Sequence, residues 1–183
     1  MKVSIIGTAS EKGGKLSKRK WRKMIKECEK YITENITDDW SNIKLISGGA
    51  AWCDHIAVYL YKKHPESKLV LHIPCKWNDE EFYDNGEYHW AKNPGKLANA
   101  YHVSFSQKIG RDTLKDIKKV IILGAKVKEY NGFHKRNVEV GKCHYLIAFS
   151  YSNDDDIPQD GGTSYTWNKS ISPNKKHFNI ANI

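Results

Sequence analysis

An arginine and a glycine pair, separated by one apolar run, carry the clearest chemical signal in this sequence. Arg136 lies in the segment Gly132–Asn137, the apolar run covers residues 144–150, and a glycine turn follows at 160–163. This order is typical of a helix that begins near the arginine, a buried strand, and a second helix that begins at the glycines. A helix N-terminus favours an anion, and a guanidinium holds phosphate oxygens in pairs. The segment therefore predicts a nucleotide or sugar-phosphate site containing Arg136, Asn137, Gly161, Gly162 and Thr163.

Two further turns are predicted at the same place. Gly7 ends the first apolar run and is followed by Thr8 and Ser10, and the second run leads into Gly48 and Gly49. In parallel α/β sheets, ligands bind beyond the carboxyl ends of the strands, where the strand order reverses. Because the three turns follow the first, second and fifth predicted strands, we expect them to meet there. The five residues just named are candidate ligand-binding residues.

The segments that connect these turns alternate between apolar runs and helical patterns. Strands are predicted at 2–7, 43–47, 68–74, 118–125 and 144–150, with a short final strand at 177–181. Helical spacing of apolar residues follows the first strand, and a second helix is predicted to end near His64-Pro65. This alternation favours an α/β fold, a Rossmann-like three-layer sandwich whose mainly parallel sheet carries helices on both faces. The length of 183 residues predicts one domain, 1–183.

Residues 76–116 interrupt the alternation. They contain seven aromatic residues, a turn signal at 93–95 and a helical pattern over 96–110. A long insertion in a small domain is often a lid or a binding loop. Its aromatic residues could stack on a base or pack the insertion onto the core. Packing is the interpretation that we favour.

Three motifs resemble those of the SLOG superfamily of Rossmann-like proteins, which includes the lonely-guy phosphoribohydrolases and DNA-processing protein A. "LISGGAAWCDHIA" looks like the second-strand motif, with the glycine pair followed by Ala50 and Asp54. "GFHKRN" is similar to the Met-His-x-Arg-Lys element, which would make Arg136 the arginine that contacts phosphate or sugar. "DGGTSYTW" resembles the Pro-Gly-Gly-x-Gly-Thr turn. The likeness covers roughly residues 2–74 and 118–170 and implies a nucleotide-binding site.

Two departures argue against hydrolysis by the mechanism of those enzymes. Their glycine turn is followed by a catalytic glutamate pair, whereas this chain has residues 164–167, "SYTW", at that place. Asn137 also replaces the lysine after the arginine. Nucleotide binding is compatible with both changes.

Glycosidic cleavage would need carboxylates that stabilise a sugar cation and hold a water. Those near the predicted site are Asp54, Glu139 and Asp160. Glu139 lies three residues after Arg136 on the same helical face and is the candidate catalytic residue. The favoured alternative is that it is a surface charge or an intrahelical partner for Arg136. Asp54 suits either a helix-dipole partner or a ligand contact, and Asp160 suits a turn.

The net charge of +9 is uneven. Seven basic residues crowd into the first loop and helix: Lys12, Lys15, Lys18, Arg19, Lys20, Arg22 and Lys23. Such a run is usually a solvated helix face, and weak binding of nucleic acid is the alternative.

The remaining composition predicts a cytoplasmic protein. The four cysteines form no C-x-x-C pair, so reduced thiols are expected. No apolar run reaches the roughly 18 residues that predict a membrane span. No spacing matches a tetrahedral zinc site, and no cofactor is predicted. A second copy of the chain is a partner that the sequence leaves open.

Three functional classes follow from these observations. The first is a protein that binds a nucleotide or nucleotide-derived signal without consuming it, as a sensor or a sequestering protein. The second is an N-glycosidase acting on nucleoside 5′-monophosphates. The third is a nucleic-acid-binding protein that uses the basic first helix. The missing glutamate pair favours the first class over the second, and the local confinement of the basic charge places the third below both.

Overall fold

The computed structural model describes residues 1–10, 16–159 and 161–183. Its strands are β1 (Lys2–Gly7), β2 (Lys44–Ser47), β3 (Lys68–Ile73), β4 (Trp77–Asn78), β5 (Glu81–Phe82), β6 (Lys126–Glu129), β7 (Tyr145–Ser150) and β8 (Asn174–Asn179). Its α-helices are α1 (Lys18–Asn35), α2 (His55–Lys63), α3 (Pro94–Ile109), α4 (Thr113–Ile122), α5 (Phe133–Val140) and α6 (Gly161–Lys169). Two short 3₁₀ helices cover Trp40–Asn42 and Ile180–Asn182.

Six of the strands form one parallel sheet in the order β6-β3-β2-β1-β7-β8. The chain moves outward from β1 through β2 and β3 to β6, and then returns to the other side of β1 with β7 and β8. The strand order therefore reverses between β1 and β7, which is where a ligand cavity is expected in such a sheet. The predicted α/β class with a parallel sheet is confirmed.

Strict alternation of side chains divides the core between the two faces of the sheet. Val3 and Ile5 face the layer that contains α1, α2 and α4. Ile6 faces the layer that contains α5 and α6, together with Val140 and Trp167 of those helices. Because successive residues of a strand point to opposite faces, fully apolar strands need helices on both sides. The predicted three-layer arrangement follows directly from this pattern.

The predicted fourth strand at 118–125 is wrong. Those residues belong to the end of α4 and the turn after it, and the fourth strand of the sheet is β6. Ile117 and Val120 are buried three residues apart, as on one face of a helix, whereas Ile122 is exposed. The true strand is a short sheet edge with the polar sequence "KVKE", and such a strand lacks the apolar run that marks a central one.

The last strand also differs from its prediction. The expected 177–181 is observed as β8, which begins at Asn174, pairs in parallel with β7, and leads into the final 3₁₀ helix. The lysines at 175 and 176 suit an edge strand because one side of it remains open to solvent.

The 76–116 insertion contains the antiparallel pair β4–β5, all of α3 and the start of α4. Phe82 and Phe105 are fully buried. The ring of Phe105 lies 5.3 Å from that of Trp21 and 4.5 Å from that of Trp52. For these two aromatic residues, the favoured interpretation of packing onto the core is confirmed.

Of the helices that the described residues form, none has the length and apolar character needed to cross a membrane.

Candidate ligand-binding site

A cavity of about 440 Å³ lies at the carboxyl edge of the sheet, within the size range of small-molecule pockets. The eleven residues predicted to bind a ligand all line it: Gly7, Thr8, Ser10, Gly48, Gly49, Asp54, Arg136, Asn137, Gly161, Gly162 and Thr163. They come from the turns after β1 and β2 and from the first residues of α5 and α6. The predicted meeting of three glycine turns is therefore observed.

The turn after β1 depends on glycine for close packing. A Cβ atom at Gly7 would lie 2.1 Å from the carbonyl oxygen of Phe149 and 2.6 Å from the Cβ of Cys53. The backbone N–H of Thr8 donates to the same Phe149 oxygen over 3.0 Å. This contact holds the ends of β1 and β7 together, so that Thr8 and Ser10 line the cavity where the strand order reverses.

The turn after β2 is folded against the start of α2 by hydrogen bonds. The N–H of Gly48 donates to Asp54 Oδ2 (3.1 Å), and the N–H of Gly49 donates to Ser47 Oγ (3.0 Å). The Ser47 hydroxyl in turn donates to the carbonyl of Asp54 (2.8 Å). Gly49 has a φ of +66°, a left-handed conformation that favours glycine. The turn is thus held in a defined shape before any ligand arrives.

Asp54 and Arg136 form a buried ion pair beside this turn. Arg136 Nη1 lies 3.4 Å from Asp54 Oδ2, and the two residues are only 8% and 3% exposed. Burial raises the pKa of Asp54, and the guanidinium together with the N–H groups of Ala50, Gly7 and Gly48 offsets part of the rise. Burial likewise lowers the pKa of Arg136. Asp54 therefore has a structural partner as well as a place in the cavity wall.

Gly48 makes room for that pair. A Cβ atom at this position would lie 1.9 Å from Arg136 Nη1 and 2.5 Å from Asp54 Oδ2. Any larger residue would separate the turn from the ion pair. Arg136 is consequently a buried residue that packs against both the turn and Asp54.

The guanidinium of Arg136 has one donor that the described residues leave unsatisfied. Its Nε atom is buried and has no hydrogen-bond partner among the described residues. Its Cζ atom lies 5.6 Å from the ring centre of Phe133, which also lines the cavity. A buried donor without a partner is costly, and an anionic oxygen in the cavity would satisfy it.

The N-termini of α5 and α6 also line the cavity. A Cβ atom at Gly162 would lie 3.6 Å from Asn137 Nδ2, which places the start of α6 next to α5. Gly161, Gly162 and Thr163 belong to the first turn of α6, whose N–H groups have no partners within the helix. Asp160 lies outside the described residues.

The structure does not bring Glu139 to the cavity. It lies one turn beyond Arg136 toward the C-terminus of α5, and its carboxylate pairs with Lys142 Nζ over 2.5 Å. Lys142 and neighbouring cations lower the pKa of Glu139. The C-terminal end of α5 points away from the carboxyl edge of the sheet, so one helical turn is enough to remove this carboxylate from the cavity.

Aromatic side chains form a second wall that the sequence did not identify as a group. Six large apolar residues line it: Phe82, Trp90, Leu97, Tyr101, Phe133 and Tyr165. Four of them come from the insertion, and two come from the first residues of α5 and α6. The aromatic residues of 76–116 are evident in the sequence. That they lie beside the first residues of α5 and α6 depends on the tertiary fold.

A chain of hydrogen bonds ties the insertion to the glycine turn after β2. The Gly49 carbonyl can only accept, so His102 Nε2–H donates to it (3.0 Å) and His102 Nδ1 accepts from the Thr113 hydroxyl (2.9 Å). The Ser106 hydroxyl then donates to Thr113 Oγ1 and accepts from the Thr113 N–H, both over 2.9 Å. Burial lowers the pKa of His102 to about 3, which keeps the ring neutral. The insertion is therefore fastened to the cavity wall.

Metal ligands are not clustered in the part of the chain that the structure describes. No group of three or more His, Cys, Asp or Glu side chains there could hold a metal ion. Of the described residues that line the cavity, Asp54 is the only carboxylate and His134 is the only histidine.

The fold and the cavity define a Rossmann-like α/β protein with a preformed pocket at its topological switch point. The chain is 34% identical over 168 residues to the uncharacterized protein R261 of Acanthamoeba polyphaga mimivirus, a match that covers 91% of this chain and 87% of the viral protein. The protein belongs to the same family as R261. No family model and no solved structure matches the chain.

Proposed function

We propose that the cavity binds a nucleotide or nucleotide-derived ligand and places its phosphate at the glycine turns, beside Arg136. The observation that carries this proposal is the buried guanidinium with an unpartnered Nε atom beside two helix N-termini. Asp54 balances the charge of Arg136, so attraction of the phosphate depends largely on backbone N–H groups and helix dipoles.

The same arrangement supports membership of the SLOG superfamily. The glycine pair after β2, the arginine of α5 and the glycine pair of α6 all lie on one cavity, as the motif resemblance implies. We therefore propose that this family, including its viral member, is a branch of SLOG with an added insertion at 76–116.

The side chains of the cavity favour binding of the ligand over its hydrolysis. A glycosidase needs a carboxylate that is free to hold water or stabilise a sugar cation. Asp54, the only carboxylate among the described cavity residues, already accepts from backbone N–H groups and pairs with Arg136. The protein then acts as a sensor or a sequestering protein for its ligand.

We further propose that the protein works in the cytoplasm. Cys28 and Cys143 are buried thiols outside any disulfide, as thiols of a reducing compartment are.

A melting-temperature comparison tests the phosphate site. Adenosine 5′-monophosphate and inorganic pyrophosphate are expected to raise the melting temperature, because a ligand selective for the folded state stabilises it by mass action. Adenosine, which lacks the phosphate, should raise it much less. Equal stabilisation by the nucleoside and the nucleotide would contradict a site centred on phosphate.

The variant Gly162→Val tests the same phosphate site by a change in the protein. Among the described residues, a Cβ atom at Gly162 would contact only Asn137 Nδ2, at an ordinary distance of 3.6 Å. The fold should therefore tolerate the change, while a side chain blocks approach of phosphate to the N–H groups. We expect roughly tenfold weaker binding of adenosine 5′-monophosphate by calorimetry, as for the loss of one charged hydrogen bond. Arg19→Ala, on the exposed face of α1, is the control and should bind normally. The reverse pattern would move the ligand to the basic helix and favour nucleic-acid binding.

An incubation experiment separates binder from enzyme. Nucleoside monophosphates kept with the protein should release no free base beyond one equivalent, as followed by chromatography, because the described cavity offers no unengaged carboxylate. Multiple turnovers would show that the protein is a hydrolase.

A further inference from the structure

Four aromatic side chains that line the cavity are partly exposed to solvent. Trp90 is 54% exposed, and Tyr101, Phe133 and Tyr165 are half-buried. By contrast, Phe82 of the same insertion is completely buried. Large apolar groups that gather at the mouth of a cavity mark an interaction site rather than part of the core.

Phe133 joins this aromatic region to the phosphate region. Its ring centre lies 5.6 Å from Arg136 Cζ and 6.5 Å from the centre of the Trp90 ring, and the Trp90 and Phe133 planes are inclined by 39°. A ligand whose anionic group lies at Arg136 therefore has flat rings next to it. Nucleotides combine an anionic end and a planar aromatic end in one small molecule.

We propose that the 76–116 insertion builds a stacking subsite for the nucleobase of the ligand, with Trp90 as its platform. This inference rests on the proposed function, since it assigns the other half of the same ligand. Ring-on-ring contact favours a planar group over a flexible alkyl chain, because offset stacking adds to the burial of apolar area.

The aromatic wall also predicts how the base is selected. Every base presents a π face, so stacking tolerates different bases. We expect all four ribonucleoside monophosphates to bind, the purines more tightly because their larger rings bury more area. The hydrogen bond from His102 to the Gly49 carbonyl holds α3 of the insertion on the cavity wall.

Tryptophan fluorescence tests this subsite. Trp90 is the only tryptophan among the described residues that line the cavity. Adenosine 5′-monophosphate should quench its emission, whereas ribose 5-phosphate should bind without quenching. Trp90→Ala should weaken binding of adenosine 5′-monophosphate by roughly tenfold, in keeping with the loss of one base–aromatic stack, and leave binding of ribose 5-phosphate unchanged. Trp90→Phe should restore most of the affinity but not the quenching.

Tyr88→Ala is the matched control. Tyr88 belongs to the same insertion and is 94% exposed, but it does not line the cavity. Its replacement should leave both affinity and quenching as in the unchanged protein.

Three outcomes would contradict the inference, and they are distinguishable. If ribose 5-phosphate and all four nucleotides bind equally and Trp90→Ala changes nothing, the stacking subsite is overturned while the phosphate site remains. If dodecyl phosphate binds more tightly than every nucleotide, the apolar wall holds an alkyl chain and the nucleobase assignment is overturned. If neither pyrophosphate, ribose 5-phosphate nor any nucleotide raises the melting temperature, the proposed function and the subsite are both overturned.

Discussion

Arg136→Leu is expected to destabilise the folded protein by about 3–5 kcal/mol in the absence of ligand, because removal of one partner leaves a buried charge uncompensated. The charge in question is the Asp54 carboxylate, which is 3% exposed and lies 3.4 Å from Arg136 Nη1. Arg136 is thus expected to stabilise the fold as well as to line the cavity. The measurement is urea unfolding at pH 7 with linear extrapolation to water.

The double variant Asp54→Asn/Arg136→Leu isolates the ion pair. We expect it to be more stable than the sum of the single changes predicts, since asparagine carries no charge that needs a partner. Lys142→Ala is the control. It removes the more exposed pair with Glu139 and should cost less than about 1 kcal/mol. Additive single changes, or an Arg136→Leu protein as stable as the original, would mean that the buried pair contributes no coupling.

Mild acid is expected to destabilise the protein through three buried histidines. Burial lowers the pKa of His102 to about 3 and that of His72 to about 4, and it lowers the pKa of His55 as well. In the unfolded chain each takes up a proton near its ordinary pKa of about 6.5, while the folded state does not. The unfolded state thus binds more protons below that pH, and stability falls as the pH falls.

The size of this effect is set by the number of protons involved. Each histidine contributes a slope of up to about 1.4 kcal/mol per pH unit between its unfolded and folded pKa values. Asp116, whose pKa is lowered in the network with His55, Lys62 and Arg111, adds a loss in the same direction below about pH 4. Asp54, whose pKa is raised in the folded state, acts in the opposite direction, because its protonation in acid favours the folded state by one proton.

Unfolding measured at half-unit steps from pH 7 to pH 4 checks the sign and the slope. His102→Gln should flatten the profile by about one proton. Proton NMR of the folded protein offers an independent reading, since the signals of His72 and His102 should not titrate between pH 7 and pH 5. A profile that is flat over this range, or signals that titrate near pH 6.5, would contradict the assignment of buried neutral rings.

The features that could be predicted from the sequence are those that depend on near neighbours in the chain. Apolar runs that end in glycine marked β1, β2 and β7, and helical spacing marked α1 and α2. The turn of Gly48 and Gly49 was recognisable because a close approach of backbone to other groups requires glycine. The same locality explains the error at 118–125, where an apolar run suited a strand as well as a helix and β6 was too polar to stand out.

The α/β class and the edge of the sheet at which the glycine turns meet could thus be predicted from the sequence, since parallel strands bring the turns that follow them to one edge. What those turns enclose depends on the tertiary fold. The Asp54–Arg136 pair joins residues that are 82 positions apart, and the aromatic wall combines side chains of the insertion with Phe133 and Tyr165. The removal of Glu139 from the cavity likewise depended on which end of α5 meets the sheet edge. Such contacts come from the packing of distant segments, which leaves no periodic trace along the chain.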